Sequence, residues 1–122
     1  MPRYYSQEHV WIDTTDPQAA RVGITEHAQE ALGDVVFADL PEPGAALTQG
    51  QVAGVIESVK AAADLFAPAS GTVLATNPAV RDDPSLLNSD PLGEGWLFTL
   101  TLSDAQELQQ LMDEAAYQAF CG

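Results

Sequence analysis

Lys60 is the only lysine among 122 residues, and the other cations are Arg3, Arg21 and Arg81. It stands in the run from Gly54 through Val55, Ile56, Glu57, Ser58 and Val59 to Ala61, Ala62, Ala63, Asp64, Leu65, Phe66, Ala67 and Pro68. An alternating apolar run before the lysine, and a second apolar run ending in proline, read as the two strands of a β-hairpin over residues 50–68. The amine then sits at or near the turn, and loops on a rigid scaffold are where function is carried. A primary amine presented alone on a turn suits acylation by a modifying enzyme. Spacing alone leaves a plain solvated charge as the other reading.

The remaining reactive side chains form no recognisable constellation. His9 and His27 are the only histidines, and with Cys121 far away in sequence they show no zinc-ligand spacing, so no metal is expected. Cys121, the single cysteine, reads as a tail thiol without a function. No nucleophile elbow or Ser-His-Asp pattern is present. Gly93-Glu94-Gly95 lacks the length and the following helix of a phosphate loop. Glu8, Glu57 and Asp64 belong to an excess of 18 acids, for which solvated surface is the default.

Composition narrows the class. A formal net charge of -14 favours a soluble monomer that docks on basic protein patches. Four cations cannot neutralise a phosphate track, so nucleic acid is not an expected partner. Apolar content of 46% is that of a folded globule. No run reaches membrane-spanning length, and the first residues lack a signal or transit character, so the cytoplasm is the expected compartment. One cysteine permits no internal disulfide, which is compatible with that compartment.

The elements that must position Lys60 are short strands. Tyr4 to Ile12 reads as a first strand, Thr14-Thr15-Asp16-Pro17 as a turn, and Ala20 to Ile24 as a second strand. Thr25 caps a short helix through Leu32, which Gly33 stops. Val35 to Leu40, Val52 to Glu57, Leu65 to Ala67, Thr72 to Thr76 and Trp96 to Leu102 read as further strands, with Asn77-Pro78 as a break and Asp83 to Asn88 as one helical turn. Ser103-Asp104-Ala105-Gln106 reads as a capping box opening a C-terminal helix over residues 103–120. Leu108, Leu111, Met112, Ala115, Ala116, Ala119 and Phe120 mark the face it packs on the body. The expectation is a single domain over residues 1–122, mainly β, in a barrel or sandwich with a C-terminal helix.

The segment Glu57-Ser58-Val59-Lys60-Ala61, then Asp64 and Ala67-Pro68-Ala69-Ser70-Gly71, resembles the lipoyl-lysine segment of the glycine cleavage system H protein family. Biotin carriers flank the lysine with methionines, where this chain has Val59 and Ala61. Lipoyl domains of 2-oxoacid dehydrogenases usually place an acid directly before it, where this chain has Val59. The resemblance extends over Tyr5-Ser6 with His9 and Trp11, Val22-Gly23-Ile24-Thr25, Ala28-Gln29, Leu32-Gly33-Asp34 and Leu40-Pro41. It continues through Asn77, Pro84 and Asn88 to Gly93-Glu94-Gly95-Trp96.

This resemblance implies a barrel-sandwich hybrid fold, lipoate in amide linkage to Lys60, and a non-catalytic carrier. Such a carrier takes an aminomethyl group from the glycine decarboxylase P protein to the tetrahydrofolate-dependent aminomethyltransferase T protein. The dihydrolipoyl dehydrogenase L protein then reoxidises it, and lipoylating enzymes are further partners. Glu57 and Asp64 flank the lysine as recognition or arm-docking residues. The chain departs from the family at Val10, where the first-strand motif usually carries glutamate, and at Ala62 and Ala63, where hydroxyl residues are common. Leu92 stands where tyrosine is frequent. These departures imply weaker arm docking or a specialised partner, and they keep open a lipoyl donor or sulfur relay outside glycine cleavage.

Overall fold

The computed structural model describes residues 3–16, 18–103 and 105–121. Strands β1 (Arg3–Tyr5), β2 (Val10–Asp13) and β3 (Ala20–Ile24) lead into helix α1 (Glu26–Leu32). Then come β4 (Val35–Asp39), β5 (Ala46–Leu47), β6 (Val52–Ser58), β7 (Ala62–Phe66) and β8 (Gly71–Thr76). Helices α2 (Pro78–Asp82) and α3 (Leu86–Ser89) precede β9 (Phe98–Leu102), a 3-10 helix (Ala105–Gln110) and α4 (Glu114–Cys121). No helix among the described residues is long and apolar enough to cross a membrane.

Two antiparallel sheets result, as the mainly β expectation requires. One runs β1-β2-β3-β9-β8-β5 and the other β4-β6-β7. Period-two alternation puts Ile12, Val22, Phe98, Leu100 and Val73 of the larger sheet into the core, where they meet Ala38, Ile56 and Leu65 of the smaller one. Trp11 points the other way, is 1% exposed, and packs with Tyr5 and Tyr117. Its indole lies against the backbone of Gly23, where an added Cβ would stand 2.5 Å from the ring, and its Nε1 donates to the Pro91 carbonyl at 3.0 Å. Glycine at position 23 is therefore a packing requirement of Trp11.

The structure corrects the sequence reading at both ends of the chain. Tyr4 to Ile12 is not one strand, because Ser6–His9 turns back and pairs β1 with β2. The Ser6 amide donates to the Val10 carbonyl at 2.9 Å, and Ser6 Oγ accepts the Val10 amide at 3.2 Å. His9 takes a positive φ of 64° to close this turn. Glu8 thus lies in a turn, and strand alternation does not set its direction. Val10 is buried in the core.

The C-terminal helix is not continuous either. Met112 leaves the helical path and forms an antiparallel bridge with Tyr5, each residue's amide donating to the other's carbonyl at 2.8 Å. Covering the free edge of β1 outweighs helical continuity here. Asp113 then restarts the chain as α4, its carboxylate accepting the Ala116 amide at 2.8 Å. Ala115, Ala116, Ala119 and Phe120, expected to pack, are exposed, while Leu108 and Tyr117 are buried. Asp104 of the expected capping box and Pro17 of the expected turn lie outside the described residues.

Candidate functional site

Lys60 occupies the tip of the β6–β7 hairpin, where Val59 and Lys60 alone connect the closing residues Ser58 and Ala61. Two-residue hairpin connections usually need positive φ at their centre. Neither Val59 nor Lys60 has it. The Ser58 side chain supplies what the backbone geometry does not. Its Oγ accepts the amides of Lys60 at 3.2 Å and Ala61 at 3.1 Å, and donates to the Ala61 carbonyl at 3.1 Å. The Ser58 amide also donates to the Ala61 carbonyl at 2.8 Å. The backbone carrying the amine is thereby fixed while its side chain stays exposed.

A second tie comes from the α1–β4 junction. The Val59 amide donates to the Asp34 carbonyl at 3.0 Å. Asp34 is itself held by Asn88 of α3, whose Oδ1 accepts the Val35 amide at 2.8 Å. Asn88 Nδ2 donates to the Gly33 carbonyl at 2.7 Å and to Gln29 Oε1 at 3.1 Å. Asn88 is thus a positioning residue for the turn two steps away. Its helix is four residues long and its partners lie over fifty residues distant, so no local pattern in the sequence reveals it.

Gly33 serves the site twice. Its φ of 78° ends α1, a conformation that L side chains rarely adopt. A Cβ there would also stand 3.0 Å from Lys60 Cε, so the lysine stem lies across a gap that only glycine leaves.

The flanking acids are brought to one face. Glu57 pairs with Ala62 and Asp64 with Val55, so both carboxylates stand on the outer side of the hairpin. Ile56 and Leu65 point to the core. Phe37 pairs with Glu57 across β4 and is 52% exposed, Val36 is 55% and Val59 68% exposed. An amine on an acid-rimmed apolar surface is the result. Lys60 forms no ion pair among the described residues. Ala63 shares the inner side with Ile56, where a hydroxyl would face the core rather than an attached group.

The residues dismissed for their sequence separation do converge. His9 of the β1–β2 turn stacks obliquely on His27 of α1 with ring centroids 4.4 Å apart, and Cys121 of α4 joins them. Burial, and then the neighbouring His27, lower the pKa of His9. Burial, and then a hydrogen bond with Cys121, push the Tyr117 hydroxyl well above the ordinary phenol range. Leu92 lines the cleft beside Tyr5 and Tyr117.

The family model of the glycine cleavage H-protein matches residues 3–122. A glycine cleavage system H protein of Thermotoga maritima is 53% identical over 117 residues, covering 96% of this chain and 94% of that one. One of Escherichia coli O9:H4 is 51% identical over 115 residues, covering 94% and 89%. The crystal structure of a glycine cleavage system H protein from Mycobacterium marinum superposes with a TM-score of 0.88 at 39% identity, covering 98% of this chain and 97% of that one.

Proposed function

The chain belongs to the glycine cleavage H-protein family, and from that premise we propose that it is the lipoyl-bearing shuttle of that system, acylated at Lys60. The observation that carries this reading is the exposed Lys60 side chain on a turn whose backbone is fixed by Ser58 and Asp34. The residues present fit an amide-linked lipoyl group: Nζ is not engaged in an ion pair among the described residues, and the surrounding surface is open. When bound, the dithiolane supplies reversible sulfur chemistry that can hold and release a one-carbon amine.

The chain's own residues then bind and orient. Ser58 and Asp34 hold the attachment point, while Glu57 and Asp64 rim it with negative charge for a basic modifying or partner enzyme. The proposed partners are the P, T and L proteins and the lipoylating enzymes, with no chemistry catalysed by the carrier itself. The bacterial relatives favour a cytoplasmic setting.

The test is the intact mass of wild type and Lys60→Arg, each produced with a competent lipoylating enzyme, followed by a glycine–bicarbonate exchange assay with P protein. A gain of one lipoyl group and exchange activity in the wild type alone are expected. No gain in the wild type overturns the site. A relay role outside glycine cleavage makes the opposite forecast for the second step, modification without exchange.

A further inference from the structure

His9, His27 and Cys121 come from three separate elements, the β1–β2 turn, α1 and the last turn of α4. Their candidate ligand atoms all lie within 4.8 Å of one another. The Tyr117 hydroxyl organises the group: its oxygen is 2.7 Å from His9 Nδ1 and 2.7 Å from Thr25 Oγ1. With Nδ1 donating to Tyr117, the lone pair of His9 Nε2 is left for an outside partner. This is the arrangement in which a ligating imidazole is oriented by a hydrogen bond at its other nitrogen.

We infer that His9, His27 and Cys121 form a zinc site, binding one ion through two imidazole nitrogens and one thiolate, with solvent in the fourth position. The donor set decides the class of metal, since imidazole and thiolate suit zinc and disfavour magnesium or calcium. Donor atoms on a tetrahedral zinc stand about 3.3–3.7 Å apart, so the cluster must close by only about 1 Å. The exposed His27 and the helix-end Cys121 have room for that movement. Glu26, Glu30 and Glu114 line the adjoining cleft of about 210 Å³, and their charge favours a cation there.

Binding is a proton exchange with no redox step. The Cys121 thiol gives its proton to solvent and its sulfur lone pair to the metal, and each imidazole binds as the neutral ring. The ion would join α4 to α1, adding to the hold that Tyr117 alone provides among the buried residues of α4.

The experiment uses the full chain carrying Lys60→Arg, so that no dithiol on an arm can supply thiolates. Failure here then leaves the acylation reading untouched. Protein stripped with a chelator is titrated with cobalt(II), read by its thiolate-to-cobalt absorption, and then with zinc in competition. One cobalt per chain, displaced by zinc, is expected. Cys121→Ser should abolish the thiolate band. His27→Ala should weaken zinc binding by more than the roughly 10- to 100-fold typical of losing an outer-shell partner. Far-ultraviolet circular dichroism confirms that both variants are folded: His27 is exposed, and Cys121, which packs at the margin of the Tyr5–Trp11–Tyr117 cluster, is replaced by a residue of similar size. A missing thiolate band, or zinc uptake equal in the Cys121→Ser variant, overturns the site.

Discussion

Lys60 lies across Gly33, its Cε 3.0 Å from where a Cβ on that glycine would stand. The helix stop and the amine are thus one packing unit. Gly33→Ala forces an alanine into a φ of 78° and pushes the lysine stem aside. A cost of about 1–3 kcal/mol is expected from the strained backbone. Urea unfolding measures it, and a time course of intact mass should show slower acylation of the folded variant.

Asn88→Ala removes three hydrogen bonds that tie α3 to the α1–β4 junction. A loss of about 1–3 kcal/mol is expected, because the Gly33 carbonyl and the Val35 amide lose their partner. The Val59 amide, bonded to Asp34 next door, should exchange its hydrogen faster. Unchanged protection at Val59 would show that Asn88 does not position the turn.

Ser58→Ala leaves the amides of Lys60 and Ala61 without their side-chain acceptor. Solvent can reach this tip, so the stability loss should stay near about 1 kcal/mol. The main expected change is motion: backbone relaxation at Val59 and Lys60 should show lower order parameters. Equal order in wild type and variant would rule out the serine as the clamp.

The Arg3–Asp13 pair sets a pH dependence. Burial raises the Asp13 pKa, but hydrogen bonds from Thr15 and the Arg3 guanidinium together outweigh it and hold the carboxyl below its ordinary value. A depressed folded pKa means stability that is present above the unfolded pKa and lost as pH falls through the folded one. The melting temperature of wild type should therefore exceed that of Asp13→Asn at neutral pH, with the gap closing in acid. The pair is partly open to solvent, so the difference should not exceed about 1 kcal/mol.

Glu57 and Asp64 share the outer face of the hairpin. Replacing both by their amides should slow acylation by a basic modifying enzyme and weaken its salt dependence, with little change in stability. Initial rates at low and high ionic strength measure this. Equal rates at low salt would remove these acids from recognition.

The Lys60 hairpin was legible because its information is local: alternation, a lone cation and a terminating proline. Thr25 as helix cap was legible for the same reason, and its Oγ1 does accept the Ala28 amide. Asn77-Pro78 read only as a break, although asparagine before proline also opens a helix, and Asn77 caps α2 by accepting the Ala79 amide at 3.0 Å. What stayed hidden depends on contacts between distant segments. Asn88 finds its partners 53 to 59 positions away. The break before α4 exists because Tyr5 recruits Met112, and the His9, His27 and Cys121 convergence needs that break to bring α4 against the first turn.

The clamp on both sides of the Val59–Lys60 connection makes Lys60 a pivot rather than part of a loose tether. An attached arm would sweep a sphere whose radius is its own length, centred on one point of the molecule. Every enzyme served by it would have to bring its reacting centre within that same radius, so the arm would act as a common gauge for unrelated active sites. Residues inserted between Ser58 and Ala61 would move the pivot itself, and the concentration of the arm's tip at each docked partner would fall as the swept volume grew.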